Sequence, residues 1–239
     1  RPQKRYFGNV TRLDARVGEL IARLDDLGLR ERTLVVYLAD NGWDQIDTGG
    51  RVDPLLGGPR GKFSIYENGF RTPMIVSWPG TLPAGRRDDS LVSALDLMPT
   101  LLDFAGVASA PPDRNGLSLR GLLEGRGSLP RDHLIGGMGQ LRVPPDERDG
   151  TRLLAIREES GFFLREPQWR YVFLPDRGVE ALYAIDEDPW EQHDLAARHP
   201  ERVARSRAAV QAWRRRMAIP APTRRPAART SVAPRAASP

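Results

Sequence analysis

Three polar residues at the ends of apolar or glycine-rich stretches could together hold a metal ion and an anion. Asp40 and Asn41 follow the β-branched run TLVVYLA, and Lys62 follows a long loop rich in Gly, Asp and Pro. Adjacent carboxylate and amide oxygens suit a hard cation such as Ca²⁺ or Mg²⁺, whereas the His or Cys that zinc favours is absent beside them. An ammonium group on a loop that folds back over the same edge could bind an anionic ester oxygen.

Each of these residues also has a simpler interpretation. Asn-Gly is a favoured turn pair that Asp often precedes, so Asp40, Asn41 and Gly42 could form only a turn. Lys62 could be a solvated loop residue. However, the chain contains 34 Arg and only two Lys, which favours a position that needs a compact ammonium rather than a planar guanidinium. Ca²⁺ takes about six to eight oxygens as a general rule, so Asp40 and Asn41 give only part of a site.

Other candidate residues are less specific. Trp43 could line a pocket or pack beneath the loop. Arg71 could contact a substrate, although a local ion pair with Glu67 is the favoured interpretation. The absence of Cys excludes thiolate metal sites and a Cys nucleophile within these residues. The three histidines show no spacing typical of a metal site: His133, His193 and His199.

Hydrophobic periodicity predicts alternating helices and strands followed by a turn-rich region. The first helix is expected over residues 9–28, with Asn9 as N-cap and Gly28 just past its end. The apolar stretch 33–39 is expected to form a central strand with parallel neighbours, covered on both faces. The further predictions are a strand at 73–78, helices at 95–106, 117–123 and 200–217, and antiparallel strands at 153–157, 169–174 and 181–185.

These elements predict an α/β fold in which part of a doubly wound mixed sheet is followed by a small antiparallel sheet and a packed C-terminal helix. The expected divisions are residues 1–128, an α+β subdomain over 129–219, and a disordered basic Pro/Ala/Arg tail over 220–239. Eleven Arg follow Leu195, so a polyanion-binding module is an alternative. Few aromatic residues alternate with them, which disfavours nucleic acid as a partner. No apolar run is long enough for a membrane span.

Five segments in this order resemble the sulfatase family of the alkaline phosphatase superfamily, and they resemble its C-terminal half only. They are LDARVGELIARLDDLGLRERTLVVYLADNG, GKFSIYENGFRTPMIVSWPG, SALDLMPTLLDFAG, NGLSLRGLLEG and WRYVFLPDRGVEALYAIDEDPWEQHDLA. The resemblance implies hydrolysis of a sulfate ester, carried by a small molecule or a carbohydrate, in which a hydrated formylglycine attacks sulfur. It also implies that Asp40 and Asn41 are two of the Ca²⁺ ligands and that Lys62 contacts the sulfate group.

The departures from the family pattern are as informative as the matches. The C/S-x-P-S-R motif that is converted to formylglycine is absent from these 239 residues, and so is the N-terminal Asp pair that completes the metal site. We therefore expect a fragment that is inactive alone, with the missing N-terminal half either as upstream sequence or as a complementary N-terminal chain. A phosphate or phosphonate ester hydrolase of the same superfamily is the alternative enzyme, although Asn41, where a His would otherwise be expected, favours the sulfatase type.

Overall fold

The computed structural model describes residues 2–42, 60–62, 64–107, 116–138, 161–175 and 177–217. Trp43, the predicted strand at 153–157 and the predicted tail at 220–239 lie outside the described residues. The chain forms two compact units. The first, here called the α/β unit, draws on Arg1–Asp40 and Thr72–Arg131, and the second, here called the sheet unit, draws on Asn41–Arg71 and Asp132–Pro239.

The α/β unit begins with a long amphipathic helix. Helix α1 (Pro2–Asp26) starts earlier than expected, so Asn9 lies inside the helix and is not its N-cap. Gly28 follows the helix in the left-handed region with φ 63°, where a glycine carries no Cβ penalty. No helix in the part of the chain that the structure describes combines the length and apolar character that a membrane crossing requires.

The two strands of the α/β unit pair with each other. Strand β1 (Val35–Leu38) runs antiparallel to β2 (Met74–Ser77), with Val36 opposite Val76. The expected parallel neighbours of β1 are not found among the described residues, where β1 is half-buried rather than covered on both faces. The mixed α/β character with a following antiparallel sheet is confirmed, but the pairing of this strand is a correction.

Two further helices complete the α/β unit, and one carboxylate joins the segments around them. Helix α3 (Leu97–Phe104) carries Pro99 in its first turn as expected, and α4 (Arg120–Leu123) is a single turn. Asp96, which is fully buried, accepts hydrogen bonds from the Arg131 guanidinium at 2.6 Å and from the backbone N–H of Leu117 at 2.8 Å. A buried carboxylate needs such hydrogen-bond partners, and Asp96 has them.

The sheet unit is a four-stranded antiparallel meander in the order β3-β4-β5-β6. Its strands are β3 (Leu134–Met138), β4 (Gly161–Arg165), β5 (Trp169–Leu174) and β6 (Val179–Ala184), and the C-terminal helix is α5 (Pro200–Arg216). The span of β5 matches its prediction, whereas β3 and β4 were not predicted.

Both hydrophobic core clusters of the described residues lie in the sheet unit. One cluster includes Ile65 and Val172, and the other joins the sheet to α5 through Leu182 and Val210. A one-turn helix, α2 (Glu67–Phe70), forms within this unit where the sequence suggested only loop. The sheet unit therefore has a core of its own, and the segment that carries Lys62 is part of it.

Candidate anion-binding site and the cluster beneath it

The predicted site residues are divided between the two units. Asp40 is exposed and ends the first stretch of the α/β unit, after β1. Asn41, Lys62 and Arg71 belong to the sheet unit. Asn41 and Lys62 are half-buried, and the Asn41 side-chain amide donates to the carbonyl oxygen of Gly42 at 2.8 Å.

Within the sheet unit, the segments that carry Asn41 and Lys62 both contact helix α2 at Gly69. The backbone N–H of Gly42 donates to the Gly69 carbonyl oxygen at 3.0 Å. On the other side, a Cβ at Gly69 would lie 2.8 Å from the carbonyl oxygen of Gly61, next to Lys62. Real Cβ atoms essentially never approach so closely, so only glycine fits there. The structure thus brings the backbone around two predicted site residues to one turn of helix.

Gly42 is equally restricted. A Cβ at this position would overlap the backbone carbonyl of Asn68, which cannot move as a flexible side chain could. The Gly in Asp40-Asn41-Gly42 therefore serves a close backbone approach to α2, in addition to any role in the turn itself. This approach fixes the residue next to Asn41 against the same helix that supports the Lys62 segment.

Beneath α2 lies a group of four charged side chains, which we call the buried ionic cluster: Glu67, Arg165, Arg170 and Glu191. Arg170 is 1% exposed and Glu191 is 0% exposed. The Glu67 carboxylate accepts from Arg170 Nη1 at 2.9 Å and from Arg165 Nε at 3.0 Å. These long-range partners replace the local pair of Arg71 with Glu67 that the sequence suggested, and that expectation was wrong.

Glu191 completes the cluster from the loop after β6. Its Oε2 accepts from the backbone N–H of Glu67, the first residue of α2, at 2.7 Å, and its Oε1 lies 3.4 Å from Arg170 Nε. The residue adopts φ 55°, which is unusual for a side chain other than glycine. Its backbone carbonyl accepts from Arg60, whose guanidinium also stacks 4.1 Å from the centre of the Tyr66 ring.

Burial controls the electrostatics of this cluster. Loss of solvation raises the pKa of Glu191 to about 7, although the Arg170 charge and the Glu67 N–H favour its ionised form. Burial likewise lowers the pKa of Arg170 from its ordinary value, and the two carboxylates oppose that shift. Arg170 also lies 4.1 Å from the centre of the Phe163 ring, which adds a cation–π contact.

Comparison with known proteins decides the family. The model of the sulfatase family matches residues 2–107. Human Arylsulfatase A is 40% identical over 203 residues, which are 79% of this chain and 38% of the human protein. The chain belongs to the sulfatase family. It spans about two fifths of the length of this relative.

Solved structures agree with the fold of a sulfatase. A protein solved in complex with its substrate D-glucosamine-2-N,6-O-disulfate matches with a TM-score of 0.65 at 23% identity, over 86% of this chain and 39% of that one. A phosphonate monoester hydrolase from Silicibacter pomeroyi matches with a TM-score of 0.64 at 25% identity, over 85% of this chain and 38% of that one. The first likeness shows the fold alone.

The described residues of this sulfatase-family chain supply at most part of the predicted metal site. Asp40 and Asn41 supply oxygens of the type that Ca²⁺ prefers. However, the described residues include no group of three or more His, Cys, Asp or Glu that could hold a metal ion. The residues present therefore fit Ca²⁺ in chemistry but not in number.

The basic C-terminal helix of the sulfatase chain is engaged with its own sheet. Arg202 pairs with Glu166, and Arg207 pairs with Glu180 at 2.6 Å. The Arg214 guanidinium lies 4.6 Å from the centre of the Phe162 ring. Three of the arginines that suggested a polyanion-binding module therefore contact strands of this sheet or the loop between them.

Proposed function

We propose that this chain is the C-terminal portion of a sulfuric ester hydrolase and that Lys62 binds the anionic group of the ester. Family membership supports the reaction class. The observation that carries the assignment of Lys62 is its supported position, because the neighbouring Gly61 packs against Gly69 at a distance that leaves no room for a side chain. A segment fixed in this way can present an ammonium group without reorganisation when charge develops on the substrate.

The remaining site residues extend this proposal. We assign Asp40 and Asn41 as two oxygen ligands of a Ca²⁺ ion, with Mg²⁺ as the alternative, and Arg71 and Trp43 as residues near the substrate pocket. The substrate would be a sulfate ester of a small molecule or a carbohydrate. Lys62 would hold the sulfate oxygens by charge-assisted hydrogen bonds, which are roughly twice as strong as neutral ones.

The 239 residues are proposed to be inactive alone. Catalysis of this type needs an activated nucleophile beside the charged groups that hold the substrate. The chain contains no Cys, and no Ser in the C/S-x-P-S-R motif. We therefore expect the nucleophile and the other metal ligands to come from a complementary N-terminal portion, whether on the same polypeptide or on another.

The surface of the α/β unit supports the need for that portion. Helix α1 carries apolar side chains at helical spacing, and several are strongly exposed: Val10 at 46%, Leu13 at 49% and Leu20 at 58%. Contiguous exposed apolar surface marks an interaction site. The proposed occupant is the remaining part of a sulfatase α/β domain, because this chain covers only 38% of its human relative.

A chimera tests the proposed activity directly. In it, this chain replaces the matched part of human Arylsulfatase A, so that the human portion supplies what the chain lacks. We expect the chimera to hydrolyse a chromogenic aryl sulfate in the presence of Ca²⁺, while the isolated chain does not. Lys62→Ala in the chimera should lower kcat/KM roughly a hundredfold, whereas Lys4→Ala, at the only other lysine, should leave it unchanged. A Lys62→Ala chimera with full activity would refute the proposed role.

A second candidate function has one specific observation in its favour. The phosphonate monoester hydrolase is as similar as other solved matches, with 25% identity over 85% of this chain. A monoanionic phosphonate ester presents oxygens that Lys62 could bind in the same way. Assaying the chimera with an aryl sulfate and with an aryl phosphonate separates the two functions, since a higher kcat/KM for the phosphonate would favour this alternative.

A further inference from the structure

The buried ionic cluster is not explained by the proposed hydrolysis, because none of its four members was expected to touch substrate. It is also not explained well by stability alone. Burying charged groups costs several kcal/mol per ion in general, and well-packed apolar replacements of buried ion pairs are often neutral or stabilising. Such clusters can instead fix one geometry among several, so the question is which geometry this one fixes.

The contacts lead from the cluster to the Lys62 segment in two steps. Arg170 Nη2 donates to the backbone carbonyl of Ile65 at 2.6 Å, and Glu191 Oε2 accepts from the backbone N–H of Glu67 at 2.7 Å. Both contacts hold the main chain at the start of α2. From there, the N–H of Ser64 donates to the carbonyl of Gly61 at 3.0 Å, immediately before Lys62.

The same cluster reaches the Asn41 segment through the other end of α2. The helix ends with Gly69 and Phe70, and Gly69 accepts the hydrogen bond from the Gly42 N–H. Any displacement of α2 would therefore move the backbone beside Asn41 together with the backbone beside Lys62. The helix is only one turn long, so its place depends on what holds it from below.

We propose that Arg170 and Glu191 are positioning residues, which set the place of the Lys62 and Asn41 segments by clamping the main chain of α2. The proposal rests on the anion-binding role proposed for Lys62. It assigns the geometry of the anion site to the C-terminal sheet, through β5 and the loop after β6. Neither residue touches substrate, and both act through α2.

The contact between Arg170 and Glu191 makes the clamp depend on pH. Arg170 Nε and Glu191 Oε1 are buried, lie 3.4 Å apart and have no hydrogen-bond partner among the described residues. Their attraction depends on ionised Glu191, whose pKa of about 7 follows from burial. The charged and titratable groups that face Glu191 are Arg170 of β5, Glu67 of α2, Arg60 and, from β6, Tyr183.

The two lysines of the chain allow a direct test with the full 239-residue protein. Inorganic sulfate is the probe, at constant ionic strength maintained with chloride. The rate of acylation of Lys62 is measured by mass spectrometry, and Lys4 serves as the internal reference. We expect sulfate to protect Lys62 selectively. Hydrogen exchange of the Gly42, Ser64 and Gly69 amides is measured in parallel, with the amides of β4, β5 and β6 as the structural reference.

Three variants separate positioning from stability. Glu191→Gln keeps the size of the side chain and an acceptor for the Glu67 N–H but removes the charge that faces Arg170. Arg170→Met combined with Glu191→Gln removes the pair without leaving the Glu191 carboxylate buried and unpaired, and Glu67 keeps Arg165 as its partner. The control is Glu180→Gln, which alters the pair with Arg207 elsewhere on the same sheet.

The proposal predicts a specific pattern. Both cluster variants should raise the sulfate concentration for half-protection of Lys62 roughly tenfold and should speed exchange of the three amides around α2, while exchange in β4–β6 becomes no faster. The control should match the wild type. In the wild type, protection should strengthen from about pH 6 to about pH 8 as Glu191 ionises, and in Glu191→Gln it should be flat.

Two results would overturn the proposal, and a third would affect only the function on which it rests. Unchanged protection and unchanged exchange around α2 in both cluster variants would show that the cluster positions nothing. Changes that appear only together with faster exchange in β4–β6 would show a role in stability alone. If sulfate fails to protect Lys62 even in the wild type, the proposed anion-binding role fails, and the exchange of the three amides alone then decides whether the clamp exists.

Discussion

The α/β unit and the sheet unit treat their apolar side chains in opposite ways. Of the fourteen large apolar side chains that are exposed in the described residues, twelve lie in the α/β unit; of the fifteen apolar residues that are buried, thirteen lie in the sheet unit. Both units contain amphipathic elements, so the difference does not come from local sequence pattern. The sheet unit thus contains its own core, whereas the described part of the α/β unit leaves more large apolar side chains exposed than it buries.

Because of this difference, the proposed site residues are supported by different parts of the protein. The sheet unit already fixes the Lys62 segment through α2 and the buried ionic cluster. Asp40, by contrast, is an exposed residue at the end of a stretch of the α/β unit. We infer that the Lys62 and Asn41 segments are supported within this chain, whereas Asp40, the other proposed metal ligand, depends on the portion that would cover the α/β unit.

The largest effect is expected from a Leu→Ala substitution that is made once in each unit. Leu182 is fully buried in the sheet unit, and Leu13 is 49% exposed in α1. Leu182→Ala should lower the free energy of unfolding of the sheet unit by about 2–5 kcal/mol. Leu13→Ala should change that of the α/β unit by less than about 0.5 kcal/mol. Hydrogen exchange, followed separately for peptides of each unit in increasing denaturant, measures both values. Equal losses would contradict the contrast between the units.

A second comparison uses two Gly→Ala substitutions of opposite expected sign. A Cβ at Gly42 would overlap the Asn68 carbonyl, so Gly42→Ala should destabilise the sheet unit by about 1–3 kcal/mol. A Cβ at Gly18 in α1 meets nothing within 4 Å, so Gly18→Ala should stabilise the helix by about 0.5–1 kcal/mol. Circular dichroism during denaturation reports α1, and exchange of the Gly69 region reports α2. Stabilisation by both substitutions would refute the close approach at Gly42.

The third prediction concerns pH and follows from Glu191. Its pKa in the folded protein, about 7, exceeds the ordinary value of 4.5, so the folded state holds a proton that the unfolded state has lost between these values. The stabilising contribution is complete below about pH 4.5 and disappears as the pH rises through about 7. Denaturation of the sheet unit should show this decrease, and Glu191→Gln should abolish it.

The pH effect has a control of opposite sign within the same unit. Hydrogen bonds from Arg207 lower the pKa of Glu180 below its ordinary value, so its contribution is present above that value and is lost as the pH falls. Glu180→Gln should therefore change stability only in acid and should leave the decrease toward pH 7 intact. A wild-type stability that rises between about pH 5 and pH 7 would show that Glu191 is not the group responsible.

The sequence predicted elements with strong local signals. Strand β5 was placed correctly because aromatic and β-branched residues occupy four of the six positions of Trp169–Leu174, and α5 because Pro200 marks its first turn. Strand β3 was missed because Gly136 and Gly137 weaken its pattern. In the structure, these two positions make room for the Phe163 and Phe162 rings of β4, since a Cβ at either would lie within 3 Å of a ring.

The buried ionic cluster could not have been predicted in the same way. Glu67 contacts Arg170 and Glu191, which follow it by 103 and 124 residues, and no local spacing records such distances. The local pair with Arg71 was expected because only short separations are visible in a single sequence. Similarly, parallel neighbours were expected for β1 because its residues are uniformly apolar. Such residues indicate burial, but they do not specify the partner strand or its direction.

The smallest expected effect on stability gives the sharpest test of the uncovered surface. Leu20 is 58% exposed on the apolar stripe of α1, and Ala22, also exposed, lies roughly on the opposite side of the helix at 3.6 residues per turn. Because neither side chain is buried, Leu20→Glu and Ala22→Glu should each change the free energy of unfolding by less than about 0.5 kcal/mol. Only Leu20→Glu, however, places a charge where the complementary sulfatase portion is proposed to pack, and burying an unpaired charge there would prevent association.

Co-purification with the part of human Arylsulfatase A that this chain does not match measures the difference: the wild type and Ala22→Glu should bind it, and Leu20→Glu should not. Equal binding by all three proteins would show that this face of α1 is not the contact, and self-association of the chain that Leu20→Glu abolishes would identify a second copy as its occupant instead.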